Sequence, residues 1–120
     1  MMRPATNHAE AALLRAILAE NDGQDEDCEK PALIIEDIRS ASWASATFIG
    51  QTVAIAVRCQ GSSDDVAKAM RRMVENLPDR EITIAGFIVA DLAVSEGATK
   101  VLDDSIISKS FTVNALVVCD

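Results

Sequence analysis

Two segments of the chain carry hydrophobic residues at the spacing of an α-helix. In residues 9–19 large apolar side chains recur every three to four positions among alanines, which predicts a first helix. In residues 62–77 apolar and charged positions separate onto opposite sides, which predicts a second, amphipathic helix. Ser62 or Ser63 can cap the start of this helix, and Pro78 ends it.

The first extended segments follow the first helix. The β-branched residues in 32–39 predict a strand, and the small polar residues around Trp43 predict a bend after it. Residues 46–49 and 52–59 are typical of a hairpin. Its turn begins at Gly50, since a type II′ turn needs a positive φ at its first central position.

Two longer apolar segments at residues 81–95 and 106–118 predict the last strands. The element order is therefore α-β-β-β-α-β-β. We expect a single α+β domain over residues 1–120, built as a two-layer sandwich. A mostly antiparallel sheet of about five strands would carry both helices on one face.

The two faces of the predicted sheet differ in composition. In the last three strands, the alternate residues that share one face are almost all apolar, so the helices can pack on that face. The residues that alternate with them are mixed in character, and their apolar members include the candidate interface residues Ala54, Ala56, Phe87, Val89, Leu116 and Val118. Soluble monomers seldom expose such a patch, which favours a homodimer or a protein partner.

Three polar residues interrupt this second face: Arg58, Asp91 and Asn114. If their strands are neighbours, Arg58 and Asp91 can form a structural ion pair. The alternative is a ligand-binding or catalytic site in which the three side chains act as polar anchors.

Charge excludes one class of partner. The chain has a net charge of -8, and six of its 19 acidic residues fall between residues 20 and 29. This segment predicts a solvated acidic loop at residues 20–30, because like charges repel and extend the chain. A negative protein repels a phosphate backbone, so we expect no nucleic-acid partner.

The sequence lacks the features of membrane proteins, secreted proteins, metal sites and common enzyme motifs. No apolar segment reaches the roughly 18 residues of a membrane span, and the start of the chain does not have the pattern of a secretory signal, which favours the cytoplasm. The three cysteines, Cys28, Cys59 and Cys119, form no close pair. His8 is the only histidine, and no phosphate loop or nucleophile motif occurs. We therefore expect no metal and no cofactor, and the sequence favours a non-enzymatic protein over an enzyme.

The element order, acidity and size resemble those of class I type III secretion chaperones, which are small acidic dimers that bind protein segments. The resemblance rests on these features and not on a shared motif, and the chain ends at Asp120 where those chaperones continue into a further helix. It implies a non-enzymatic domain that acts by protein–protein binding. The alternative remains a small ligand-binding domain or enzyme that uses Arg58, Asp91 and Asn114.

Overall fold

The computed structural model describes residues 8–22 and 30–119. Its elements are α1 (His8–Asp22), β1 (Ala32–Ala44), β2 (Ile49–Gly61), α2 (Ser63–Asn76), one turn of 3₁₀ helix (Leu77–Asp79), β3 (Phe87–Val101) and β4 (Ile107–Cys119). The α+β class and the order of helices and strands are confirmed. The sheet has four strands rather than about five. Its order is β1-β2-β4-β3, and all neighbours are antiparallel.

The strand count differs because the first hairpin turns at Ser45–Phe48. The Ser45 N–H donates to the Phe48 carbonyl over 2.8 Å, and the Ser45 hydroxyl accepts from the Phe48 N–H over 3.1 Å. Trp43 therefore lies within β1, not in a bend, and Gly50 pairs with Trp43 inside the hairpin. The predicted turn at Gly50 is wrong.

Gly50 is required for a different reason. A Cβ atom at this position would lie 2.0 Å from the backbone oxygen of Val117 on β4. No side chain fits in that space, so β2 and β4 approach closely at this point because residue 50 has none.

The last two strands also differ from their predicted bounds, β3 (Phe87–Val101) most of all. Gly86, with a φ of 81°, belongs to a turn in which the Phe87 N–H donates to the Ile84 carbonyl, so β3 begins only at Phe87. Gly97, expected in the connection, lies inside β3. The true connection is held by Asp103, whose carboxylate accepts the Ser105 N–H over 2.8 Å.

One hydrophobic cluster forms the core. It joins buried residues of both helices and of the 3₁₀ turn to alternate residues of β2 and β4. The strand members are Val53, Ile55, Val57, Cys59, Phe111, Val113, Ala115 and Val117, joined by Leu92 of β3. The α2 helix begins as predicted, since the Ser62 hydroxyl accepts the Asp65 N–H over 3.1 Å.

The end of α1 is held by α2 and the segment after it. Arg72 donates to the backbone carbonyls of Glu20 and Asn21 over 3.3 and 3.4 Å. The Glu20 carboxylate accepts from Asn76 over 3.0 Å and pairs with Arg80 over 2.9 Å. These bonds partner carbonyl groups that a helix end leaves without intrahelical partners.

The predicted acidic loop lies partly within the described residues. Its first residues, Glu20 and Asn21, are buried parts of α1, so they are not solvated as expected. Asp22 is exposed and pairs with Lys30 over 2.7 Å. Residues 23–29 of the predicted loop lie outside the described residues.

Candidate binding face

The side chains that alternate with the core positions form what we call the second face of the sheet. Strand pairing arranges sixteen such positions, one of them Gly50, in four rows that run from β1 through β2 and β4 to β3. The rows are Trp43–Gly50–Val118–Ile88, Ala41–Thr52–Leu116–Asp91, Arg39–Ala54–Asn114–Ala93 and Asp37–Ala56–Thr112–Ser95.

Four of the six candidate interface residues lie in these rows: Ala54, Ala56, Leu116 and Val118. All four are half-buried. For the other two, Phe87 and Val89, the expected side of the sheet is wrong.

The cause is a β-bulge in β3. Val89 pairs with Val117 and Asp91 with Leu116, so Ala90 is an extra residue that reverses the alternation of side chains. Phe87 and Val89 consequently pack against the core. Ile88 takes their place on the second face, and it is 52% exposed.

A groove with a volume of about 740 Å³ crosses all four strands of the second face. All eight residues of the second and third rows line the groove, and neighbouring residues of β1, β2 and β4 complete the lining. Its floor is made of small side chains such as Ala54 and Thr52, and Leu116 is its only large apolar residue from these rows. Arg39 stands at the β1 end, and Asp91 stands at the β3 end.

Two of the three predicted polar anchors come together in this groove. Asp91 and Asn114 lie in adjacent rows on neighbouring strands, and both are exposed. Arg58 does not join them, because β4 separates its strand from β3 and because it pairs with Ser110, two rows from Asn114. Its Nε lies 3.3 Å from a carboxylate oxygen of Glu36 instead. The predicted Arg58–Asp91 pair is therefore wrong.

The cation of the groove is Arg39, which the sequence reasoning did not single out. Its side chain is 83% exposed and pairs over 2.6 Å with Asp37 on the same strand. Such exposed pairs contribute little, so the guanidinium can exchange partners at low cost. The alternation Arg39, Ala41, Trp43 was the available signal, since it continues the period of two through the predicted bend.

The described thiols differ in exposure. Cys59 belongs to the core, and burial raises its pKa to about 11, although the positive charge of Arg72 acts in the opposite direction. Cys119 is exposed at the end of β4. Within residues 8–22 and 30–119, no three His, Cys, Asp or Glu side chains are grouped closely enough to hold a metal ion.

In the same part of the chain, no helix is both long enough and apolar enough to cross a membrane. Neither the known protein families nor the curated proteins include one that matches this sequence.

Proposed function

We propose that this domain acts by binding protein through the second face of its sheet. The observation that carries the proposal is the groove across all four strands, which no residue of α1 or α2 lines. We infer that both helices cover the opposite face, because their buried residues share one core with the alternate positions of β2 and β4. The second face is then the broad surface available to another molecule.

The composition of the groove suits a protein surface. Half-buried apolar residues, such as Leu116 in the groove and Val118 in the row beside it, stabilise a complex by roughly 25 cal/mol per Å² when water leaves them. Small side chains such as Ala54 and Ala93 permit close approach of another backbone or sheet. Exposed charges at the two ends of the groove can fix orientation, as polar rims do in protein interfaces.

Binding of a small molecule is the second candidate, and two observations favour it. The groove volume lies within the range of ligand sites, roughly 300–1,000 Å³, and Asp91 and Asn114 supply polar contacts. However, ligand sites enclose most of the ligand surface, whereas the groove is lined by exposed residues of all four strands. This arrangement favours a flat, extended partner.

Site-specific photo-crosslinking tests the proposal. A benzophenone amino acid replaces Leu116 in the groove or, as a matched control, the exposed Leu18 on α1. In the cells that produce the protein, we expect discrete protein adducts from position 116 that position 18 does not give. The substitution Ala54→Lys should weaken these adducts, since Ala54 lines the same groove.

Equal adducts from the two positions, or none from position 116, would contradict the proposal. Saturable binding of a small molecule that Ala54→Lys abolishes, without protein adducts, would favour the second candidate instead.

A further inference from the structure

The two ends of the second face are complementary to each other. In the first row, β1 contributes the aromatic Trp43 and β3 contributes the apolar Ile88. Across the groove, β1 contributes the cation of Arg39 and β3 the carboxylate of Asp91. A surface with this property fits a second copy of itself when β1 of one copy lies over β3 of the other.

We propose that the occupant of the second face is a second copy of this chain, related by a two-fold axis that runs between the two sheets and parallel to their strands. This inference rests on the proposed function and specifies its partner. The axis exchanges the β1 and β3 sides while it keeps each row opposite its own equivalent. Trp43 then faces Ile88 of the second copy, and Arg39 lies one row, about 7 Å along the strand, from Asp91 of that copy.

The alternative two-fold axis, perpendicular to the strands, is disfavoured by charge. It would place β1 over β1 and β3 over β3, so that Arg39 approaches its own equivalent and Asp91 approaches its own. The approach of the two Asp91 carboxylates opposes association, whereas Asp37 partly offsets the approach of the two Arg39 side chains. The axis parallel to the strands avoids the approach of like charges and brings Asp91 nearer to Arg39 of the second copy.

The centre of the face is compatible with this packing. Each β2 lies over β4 of the second copy, which places Thr52 opposite Leu116 and Ala54 opposite Asn114. The Asn114 amide, which requires a hydrogen-bonding partner when it is covered, comes near the Thr52 hydroxyl of the second copy. Four strands by four rows cover about 500 Å² on each copy, or about 1,000 Å² for the two copies together. This total is at the low end for a specific interface. We therefore expect a dissociation constant in the micromolar range.

Charge reversal tests the arrangement. Sedimentation velocity between about 5 and 500 µM, a range set by the expected affinity, compares four proteins: wild type, Arg39→Glu, Asp91→Arg and the double variant. Each single reversal should weaken the dimer about tenfold or more, and the double variant should return to within about threefold of wild type. Circular dichroism establishes that each variant is folded.

Trp43 supplies an independent measurement because it is the only tryptophan in the chain. Its emission should shift to shorter wavelength as the dimer forms, and Ile88→Glu should abolish this shift while the monomer stays folded.

A wild-type protein that remains monomeric at the highest concentration would overturn the dimer. The proposed function would still stand if position 116 gives adducts with another protein. A dimer that neither single reversal weakens, or that the double variant fails to restore, would overturn the arrangement but not the self-association.

Discussion

Gly50→Ala tests the close approach of β2 and β4. Alanine in an ordinary extended strand should stabilise the protein by up to about 1 kcal/mol, because it restricts the unfolded chain more than glycine does. Gly50 is not among the described glycines with positive φ, so backbone strain does not oppose the change. The added Cβ, however, would lie 2.0 Å from the Val117 oxygen, where distances below 3.0 Å essentially never occur.

The two backbones must therefore separate by about 1 Å at this point, which stretches the hydrogen bonds between β2 and β4. Overpacking typically costs about 1–3 kcal/mol, and each weakened hydrogen bond adds about 1 kcal/mol. We expect a loss of about 3 kcal/mol in the free energy of unfolding. For a domain of this size, this loss corresponds to a decrease in Tm of about 12 °C.

Urea denaturation followed by circular dichroism measures the effect. The matched control is Gly86→Ala, which meets nothing within 4 Å but adopts a φ of +81°. This control should lose about 1 kcal/mol from backbone strain alone. If Gly50→Ala is as stable as wild type, or loses no more than the control, the close approach is refuted.

Two further changes test the bulge in β3 and the buried thiol. Val89→Lys should lower the free energy of unfolding by about 2 kcal/mol, because Val89 packs against the core. Leu116→Lys, on the second face, should lower it by less than about 1 kcal/mol. Thermal melts at low protein concentration compare the two variants, and equal losses would contradict the assigned faces. In a Cys28→Ser background at pH 8, iodoacetamide should modify Cys119 far faster than Cys59, whose pKa near 11 instead of 9.0 leaves about 100-fold less thiolate. Because the pKa of Cys59 is raised only in the folded state, the contribution of this thiol to the free energy of unfolding is complete below pH 9 and is lost as the pH rises through 11. Comparable alkylation rates for Cys59 and Cys119 at pH 8 would show that Cys59 is not buried.

The sequence pattern predicted the elements better than their ends and faces. The α2 helix was predicted at residues 62–77 and lies at Ser63–Asn76, because its cap, its periodicity and the following proline all favour the same boundaries. The first hairpin was misplaced because Gly50, the strongest turn residue nearby, is used for close approach. The actual turn contains neither glycine nor proline.

The candidate site was predicted only in part for a related reason. Residues 87–89 are all apolar, so their alternation could not indicate which side faces the core. The bulge at Ala90 decides the side, and a bulge of one residue leaves no periodic signal. Arg39 does not stand out in the sequence, because the small residues after it favour a bend rather than a strand.

Because Ala90 is an extra residue, the side of the sheet on which residues 87–89 lie depends on the number of residues in β3 more than on their type. Deletion of this one alanine would remove little apolar area, but it would leave the start of β3 with two alternatives. Either Phe87 and Val89 turn outward and Ile88 turns inward, or the strand slides by one position against β4. A conservative substitution at any of these positions has neither effect. Related sequences should therefore tolerate exchange among apolar residues at 87–89 far more readily than a one-residue deletion. If the alternation of side chains along β3 is followed without allowing for the bulge, the wrong residues are assigned to the binding face.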